Sequence, residues 1–578
     1  MTIRVRPVDR GRTSRDPSRR TFYVNVAFAI TVVVAVLILV VVGATTWYGA
    51  HLAAAATIDG QTITKDQFVD RARVEQFRLQ QIGARVKSEL AAGRLTAAQA
   101  DARISAISQQ LDDQQGGFRS AIVEKLIDMT LQAKLANELG VVVTPEQIDQ
   151  RILEDQTRKE ERHVWLIAVK PVVDTGKTDP TDAQKAAAKK KADDALAAIK
   201  TGGKTFEDVA KETSDDPSKT SGGDLGWIDS TASEDPDWQA AIFKLEANGV
   251  TDVILGADGT FRIGRVSEIV APQVDTAWDQ KLAEAKIAPE SYRAAIQSEV
   301  TRTVLGDKIV ADASASGPQK QVQELFIKAP DQPPTDGALK VRHILFSPKD
   351  DPQGASKIPD TDPLWTEAQL GAQAAYDKIK ADPKQFDVIA RKESDETQDL
   401  GDDGSGGKLP YFEPDDTQVD EAFRAAIFKE GVKPGDLLAP FKSAFGWHVV
   451  QVMYGPPDAD EMARLKTQAA TAGTDFGQLV RDRSDGPKAG AGGDIGWVAK
   501  GTLDDRLTAL ILATPVGSFT DVIDIPSDGL YLFKIVNEKT AVPDAEQLKT
   551  IKDGAFKYWY AGKKAAATIT RDLLTTAG

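Results

Sequence analysis

The sequence has no cysteine and only four histidines among its 578 residues. Without cysteine, disulfides, thiolate metal sites, cysteine nucleophiles and an N-terminal lipidated cysteine are excluded. The formal net charge of −15 argues against a nucleic-acid partner, which requires clustered basic charge. The motifs HExxH, GxSxG and GxxxxGK[ST] are also absent, which weakens hydrolase and nucleotide-dependent classes.

One long stretch, residues 21–50, carries no charge. It exceeds the roughly 20 residues that span a bilayer, so we predict a single transmembrane helix. Residues 1–20 contain seven arginines and two acids, Asp9 and Asp16, so their net charge is +5. The rest of the chain therefore has a net charge of −20. By the positive-inside rule, the N-terminus is predicted to be cytoplasmic and residues 51–578 extracytoplasmic, so that the protein lies in the cell membrane with a single pass.

The alternative is a signal peptide that is cleaved at the small residues "AAAA" (53–56). The uncharged run is longer than the 7–15 residues usual for a signal core, which favours the uncleaved helix. The acidic remainder disfavours flat adhesion to anionic lipid and is typical of a solvated surface.

Three stretches of the chain resemble one another, each with a Phe, an apolar residue on the same helix face, and a Ser-Asp helix end. They are "FEDVAKETSDD" (206–216), "FDVIARKESDE" (386–396) and "FGQLVRDRSDG" (476–486). Glycine turns follow at "GGDLGW" (222–227), "GGKLPY" (406–411) and "GGDIGW" (492–497). Each unit is predicted to continue with a helix and two strands.

The leading strand of a unit is visible in two cases only, "RHVWLIAV" (162–169) and "VRHILF" (341–346). No such strand is clear for the third unit, which we therefore interpret as truncated. Amphipathic helices are predicted around the first unit, with Thr144 as the N-cap before Pro145. A similar helical pattern returns at 289–312, so the first unit interrupts a helical module.

Two of the four histidines stand in apolar strands, His343 in "VRHILF" and His448 in "FGWHVVQV" (445–452). A lone histidine in a strand is usually a core residue whose hydrogen bonds are satisfied within the protein. Two histidines at matched strand positions, with the "GGKLPY" turn between them, favour a functional site. Together these motifs resemble the parvulin-type peptidyl-prolyl isomerases, and among them the extracytoplasmic chaperones of the SurA, PpiD and PrsA kind. The flanking helices resemble the chaperone module of that group.

The resemblance implies that His343 and His448 meet on adjacent strands as catalytic residues. It places Leu409, Val419 and Phe423 around the substrate's proline ring. Glu396 stands where the family carries Cys or Asp and completes the implied catalytic set.

The sequence also departs from the family pattern. Lys408 and Pro410 replace the usual Asp and Gly of the glycine turn. The first unit has His163 and Asp216 but Phe261 at the second histidine, and the third has Gly486 and Tyr531 at the acid and the second histidine. We interpret both of these units as folded but inactive.

The fold class implied is α+β: one transmembrane helix, a SurA-like helical module and repeated parvulin-like domains with antiparallel sheets. The predicted domains are the tail 1–20, the membrane helix 21–50, the helical module 51–160 and 272–340 (with linker), parvulin-like domains 161–271, 341–454 and 455–540, and a C-terminal helix 541–578.

The implied function is a membrane-anchored isomerase and chaperone for unfolded exported polypeptides with X-Pro bonds, without cofactor or metal. A di-histidine metal site has no third ligand at a recognisable spacing. The acidic loop 395–407 fits a solvated loop better than a calcium site. The competing hypothesis is a holdase that binds unfolded chains without catalysis.

Overall fold

The computed structural model describes residues 46–112, 117–173, 179–231, 235–401 and 403–575. The helices that it contains are α1 Lys65–Ala91, α2 Ala97–Leu111, α3 Gly117–Glu138, α4 Pro145–Gln156, α5 Asp182–Lys200, α6 Phe206–Thr213, α7 Pro236–Ile242, α8 Trp278–Glu284, α9 Pro289–Ser314, α10 Pro363–Ala381, α11 Gln385–Glu393, α12 Glu421–Ile427, α13 Asp458–Ala469, α14 Phe476–Arg483, α15 Asp505–Ala513, α16 Ala545–Ala566 and α17 Asp572–Thr575. The strands are β1 Ala54–Ile58, β2 Gln61–Thr64, β3 Thr157–Arg158, β4 Glu161–Val169, β5 Asp224–Asp229, β6 Ile254–Leu255, β7 Phe261–Val270, β8 Gln273–Val274, β9 Gly317–Lys328, β10 Leu339–Phe346, β11 Lys408–Phe412, β12 Phe441–Lys442, β13 Trp447–Tyr454, β14 Asp494–Val498, β15 Ile523–Ile525, β16 Gly529–Ala541 and β17 Ile569–Thr570.

The transmembrane helix of the predicted fold is corrected by the structure. Among the described residues, no helix combines the length and the apolar character needed to cross a bilayer. Most of the predicted span, 21–50, lies outside the described residues, as does the tail 1–20. The part that is described, 46–50, is helical, with Trp47 and Tyr48 exposed.

The chain divides into two compact units, residues 1–305 with 567–578, and residues 306–566. In the first unit, helices from both sides of the first parvulin-like domain share one apolar core. That core contains Phe77 of α1, Ile148 of α4, Trp278 of α8 and Tyr292 of α9. The helical module is therefore one body into which the first domain is inserted.

The start of α4 follows the sequence prediction closely. Thr144 accepts a hydrogen bond from the amide of Gln147, whose side chain accepts one from the amide of Thr144. Pro145 occupies the first turn, where its missing N–H costs nothing. Gly140 has φ +64° in the link before it, a conformation that glycine adopts without a Cβ clash.

Each of the three parvulin-like domains is built on a four-stranded antiparallel sheet. The strand orders are β5-β4-β7-β6 in the first domain, β11-β10-β13-β12 in the second and β14-β9-β16-β15 in the third. In each, helices pack against the first and last strands, which lie at the centre of the sheet.

The interpretation of the third unit as truncated is wrong, because its leading strand is β9. Strand β9 lies before the second domain in the chain, and twelve of its residues pair with β16. The second domain is thus inserted between β9 and α13. Sequence reasoning assigned this first strand to the range 272–340 and the rest of the third domain to 455–540. It missed the nested order because the repeats were aligned one after another along the chain.

Candidate active site

The first and last strands of the central domain bring the two histidines together. In the antiparallel pair of β10 and β13, Leu345 lies opposite His448. His343 is two residues before Leu345, so its side chain projects on the same face as that of His448. The two Nδ1 atoms are 3.2 Å apart, and the rings are nearly parallel with centroids 5.4 Å apart.

Burial fixes the charge state of this pair. His343 and His448 are 5% and 4% exposed, and this desolvation lowers the pKa of each ring, that of His448 well below 6.5. Both rings are therefore neutral near pH 7. Two neutral imidazoles that meet through Nδ1 need one proton between these atoms, so one ring donates and the other accepts.

The partner on the far side of His448 sets the direction of this bond. Ser443 Oγ lies 2.6 Å from His448 Nε2 and itself accepts from the amide of Phe445 at 3.0 Å. With the serine hydroxyl donating to Nε2, His448 Nδ1–H donates to His343 Nδ1. His343 then carries its proton on Nε2, and that atom has no hydrogen-bond partner among the described residues.

A buried carboxylate faces this proton. Asp399 Oδ2 is 4.0 Å from His343 Nε2, and Asp399 is fully buried. The hydroxyls of Ser394 and Ser405 donate to its two oxygens at 3.0 and 2.5 Å. The negative charge of Asp399 opposes the effect of burial on the pKa of His343. Asp399 thus orients the ring and favours the Nε2–H tautomer.

Sequence reasoning missed Asp399, because it treated 395–407 as one solvated loop. The loop is held by Arg391, whose Nε donates to both oxygens of Asp387 at 3.0 Å. Its Nη1 donates to the carbonyls of Gly401 and Gly404. In this run of acids only its burial distinguishes Asp399, so no sequence signal identifies it.

The three predicted pocket residues belong to one apolar cluster beside the histidines. Phe423 is buried and lies edge-on to both rings, with centroid distances of 5.9 Å to His343 and 5.0 Å to His448. Leu409 and Val419 are partly buried in the same cluster. Sequence reasoning missed two further aromatic members, Phe412 and Phe441, which pack on Phe423 at 5.4 and 5.8 Å.

Glu396 lies next to the network but is not joined to it. Its amide donates to Ser394 Oγ at 3.3 Å, and no hydrogen bond in the described part of the chain connects its carboxyl to either histidine. Burial and the charge of Asp399 raise the pKa of Glu396.

Lys408, the departure from the family pattern, lies away from this site. It pairs with Arg342, whose side chain projects on the sheet face opposite to that of His343. Its Nζ donates to the carbonyl of Arg481 at 3.0 Å. Burial lowers the pKa of Lys408 to about 8. The replacement alters the outer face of the domain and leaves the histidine face intact.

The other two domains have different residues at the first histidine position. The amide of His343 donates a hydrogen bond to the carbonyl of Gly407 in the glycine turn. The equivalent bonds in the other domains run from Leu166 to Gly223 and from Glu324 to Gly493, and all three are 2.7–2.8 Å long. His163, the residue predicted from the sequence, lies three residues earlier and bonds Asp224. The alignment of His163 with His343 is therefore wrong: it matched the Arg-His pairs of the two strands, whereas the backbone bond matches Leu166 with His343.

The second histidine position also differs. His448 lies opposite Leu345 in the strand pair of the central domain. The residues in the equivalent position are Arg262, opposite Ala168, and Tyr531, opposite Phe326. Phe261 is thus corrected to Arg262, whereas Tyr531 is where the sequence predicted it.

At the corresponding positions the first domain has an ion-paired arginine and a buried tryptophan. Arg262 binds Asp235 at 2.8 Å and Asp258 at 2.7 Å. Trp238 is buried at the position that Phe423 has in the central domain. The first domain therefore has no histidine pair at these positions.

Comparison with known families agrees with this architecture. Family models match at residues 19–162, a SurA-like N-terminal domain, and at 150–268, a PPIC-type peptidyl-prolyl isomerase domain. A second PPIC-type model matches twice, at 343–454 and 458–537. The chain is a SurA-like protein with PPIC-type domains. The third PPIC-type match begins after β9, consistent with the insertion that separates that strand from the rest of its domain.

Curated relatives include the chaperone SurA of Yersinia pestis, 35% identical over 117 residues, which are 20% of this chain and 22% of the relative. The foldase protein PrsA of Staphylococcus aureus is 26% identical over 172 residues, 30% of this chain and 49% of the relative. The chain thus spans about a fifth and about half of the length of these relatives. A crystal structure of PrsA from Bacillus subtilis is 21% identical over 43% of this chain and 89% of that chain, with a TM-score of 0.16.

Proposed function

We propose that this protein is a peptidyl-prolyl isomerase and chaperone, and that its catalysis resides in the central PPIC-type domain. The observation that carries the proposal is the buried contact between His343 and His448 beneath Phe423. The similarity to a chaperone and a foldase supports the folding role.

The proposed mechanism needs no covalent step. Rotation about an X-Pro bond is slow because the twisted amide loses its resonance, which costs about 18–20 kcal/mol. An enzyme accelerates the rotation by binding the twisted amide more tightly than the planar one. The apolar side chains of Leu409, Val419 and Phe423 would hold the proline ring and exclude water.

The histidine network would then act on the polar part of the amide. Its proton positions are fixed by Ser443 at one end and Asp399 at the other. Such a fixed set of dipoles stabilises the changed charge on the amide without reorganising. Since rotation about the X-Pro bond requires no proton transfer, we expect His343 and His448 to serve as parts of this network and not as a general acid and base.

The proposed clients are unfolded exported polypeptides, and we place the bulk of the chain outside the cytoplasm. The arginine-rich segment 1–20 and the uncharged segment 21–50 of the sequence support export. A reporter enzyme that is active only outside the cytoplasm, fused after residue 578, would test the location. An inactive but stable fusion would contradict it.

The function is tested by measuring the isomerisation of a proline tetrapeptide by the full chain. The variant with both His343→Ala and His448→Ala should isomerise the peptide at least about tenfold more slowly than wild type, whereas the control His163→Ala should keep the wild-type rate. Unchanged turnover in the double variant would place catalysis elsewhere. If wild type prevents aggregation of an unfolded client but isomerises nothing, the protein is a holdase without catalysis.

A further inference from the structure

A cavity of about 650 Å³ lies between the central and the third PPIC-type domain, at the edge of the central sheet. One wall is formed by β11 and the loop before it, another by the loop 484–489 of the third domain, and a third by the linker 328–334. Both domains belong to the same compact unit of the chain. The volume is within the range of about 300–1,000 Å³ that ligand sites have.

Two residues connect this cavity with the proposed catalytic site. Leu409 lines the cavity and also belongs to the apolar cluster that contains Phe423. Ser405 lines it as well, and its hydroxyl donates to Asp399, the carboxylate that faces His343. The cavity therefore adjoins the proposed proline pocket. A polypeptide whose proline ring lies against Phe423 would bring neighbouring residues to the cavity.

The linker is a fixed wall, because it is held at both ends. The amide of Lys328 donates to Asp485 at 3.1 Å, and that of Thr335 donates to Glu413 at 3.0 Å. Between these points, residues 330–334 include three prolines, which restrict φ to about −65°. A wall that is already ordered loses little conformational entropy when a ligand binds.

The charges in the wall favour neither an anion nor a cation. The wall contains three lysines and four acidic residues. Several of these are already paired: Lys340 contacts Asp485 at 2.6 Å, and Asp403 contacts Lys488 at 3.3 Å. Leu409 of β11 and the prolines of the linker provide apolar surface beside them. The cavity thus suits an uncharged segment with apolar side chains.

Pro410 limits how a ligand can use β11. This strand is the first in the order β11-β10-β13-β12, so its outer edge has no partner among the described strands. A proline in an edge strand lacks the N–H that a further strand would need, and it disfavours strand addition. The ligand is therefore recognised through its side chains and not by backbone pairing with β11.

We propose that this cavity binds the uncharged, apolar residues that flank the proline of a client polypeptide, while the X-Pro bond lies at the histidine network. The proposal rests on the proposed function and extends its substrate site beyond the proline pocket. The loop 484–489 gives the third domain a part in that site. The enzyme then selects clients by the residues next to the proline as well as by the proline itself.

Substrate length and charge test the cavity kinetically. The full chain is given a blocked proline tetrapeptide, or octapeptides extended on one side or the other by alternating Ala and Leu, Ala and Glu, or Ala and Lys. On one side, the Ala-Leu extension should lower KM at least about tenfold with kcat unchanged, as expected for burying an apolar side chain. Equal KM values for the tetrapeptide and both Ala-Leu peptides would overturn the proposal, as would an equal gain from the charged extensions.

Because the chain has no cysteine, a single introduced thiol can locate the binding. Gln332→Cys places a thiol in the linker wall, and Gln373→Cys places one at an exposed position of α10 as the matched control. At a saturating concentration, one of the two Ala-Leu octapeptides should slow the reaction of the Gln332→Cys thiol with a maleimide at least about fivefold. The control thiol should react at an unchanged rate. Slowing at both positions, or at neither, would overturn the proposal.

The thiol measurement does not depend on turnover, so it separates this inference from the proposed catalysis. Protection of the Gln332→Cys thiol without isomerisation of any peptide would contradict the enzyme and leave the cavity established as a peptide site. Isomerisation without protection and without an effect of substrate length would overturn the cavity and leave the catalysis.

Discussion

Replacing His448 by Ala tests whether the two histidines form a structural network or a proton-transfer pair. The change removes the bonds to His343 Nδ1 and Ser443 Oγ and the ring contacts with Phe423 and Phe441. Ser443 keeps the amide of Phe445 as a partner. His343 is left with no partner at Nδ1 in a site that is shielded from water.

The expected size of the effect follows from these contacts. An orphaned neutral polar group costs about 1–3 kcal/mol, and the lost ring adds a cavity term. We therefore expect the central sheet to lose about 2–4 kcal/mol of local stability. The network contributes about one hydrogen bond to the transition state, so the rate should fall by about tenfold and not to zero.

Both quantities are measurable on the full chain. Hydrogen exchange followed by mass spectrometry reports the opening free energy of peptides from β10 and β13, and a proline tetrapeptide reports the rate. Burial keeps the pKa of each histidine below 6.5, so the wild-type rate should be flat from about pH 7 to 9. His163→Ala, which removes a partly buried histidine from the first domain, is the matched control.

One combination of results would refute the network. If His448→Ala abolished turnover while exchange in β10 and β13 stayed at the wild-type level, the histidine would be acting on the substrate alone. A wild-type rate that followed a histidine titration above pH 7 would point the same way, because a general base must lose its proton as the pH rises. Proton transfer would then replace the network in the mechanism.

Four further substitutions test neighbouring parts of the structure. Asp399→Asn removes the charge that opposes burial at His343, so the pKa of that ring, followed by NMR, should fall further and the isomerisation rate should drop. Phe423→Leu should cost less than about 1.5 kcal/mol of stability but raise KM for a proline peptide; an unchanged KM would contradict the pocket. The pKa of Lys408 falls from 10.5 to about 8 on folding, a penalty that is complete below pH 8 and absent above 10.5. Lys408→Met should therefore raise stability to urea at pH 7 by up to about 3 kcal/mol, with no gain near pH 10.5. Burial and a nearby carboxylate raise the pKa of Glu324 from 4.5 to about 7, so its contribution is lost as the pH rises through 7. Glu324→Gln should stabilise the third domain at pH 8 and not at pH 4; equal effects at both would contradict the shift.

The local parts of this fold could be predicted because they depend on neighbouring residues. Thr144 followed by Pro145 sets a helix start, and the paired glycines set the turns before β5, β11 and β14. Each of these features is decided within a few residues, where a single sequence carries the information. The meeting of His343 and His448 on adjacent strands, by contrast, was expected only from the resemblance to the parvulin-type isomerases.

The parts that escaped prediction depend on contacts between distant segments. Strand β9 pairs with β16 across an inserted domain of more than a hundred residues, so order along the chain gave no hint of it. Asp399 differs from the acids beside it only through burial, which Arg391 and two serines impose. The register that puts Leu166, and not His163, at the active-site position is set by a backbone bond to Gly223.

The insertion explains why the central domain has an unusual outer face. Lys340 and Arg342 of β10 are buried there and pair with Asp485 at 2.6 Å and Asp482 at 2.9 Å, both from the third domain. A central domain cut out of the chain would lose both ion pairs and the hydrogen bond from Lys408 Nζ to the carbonyl of Arg481. The degenerate third domain, which has Glu324 and Tyr531 in place of the histidines, therefore supports the sheet that carries the histidine network. Its acids pair with cations on the side of that sheet opposite to the site, which gives a physical reason for a chain to keep a PPIC-type domain without a histidine pair.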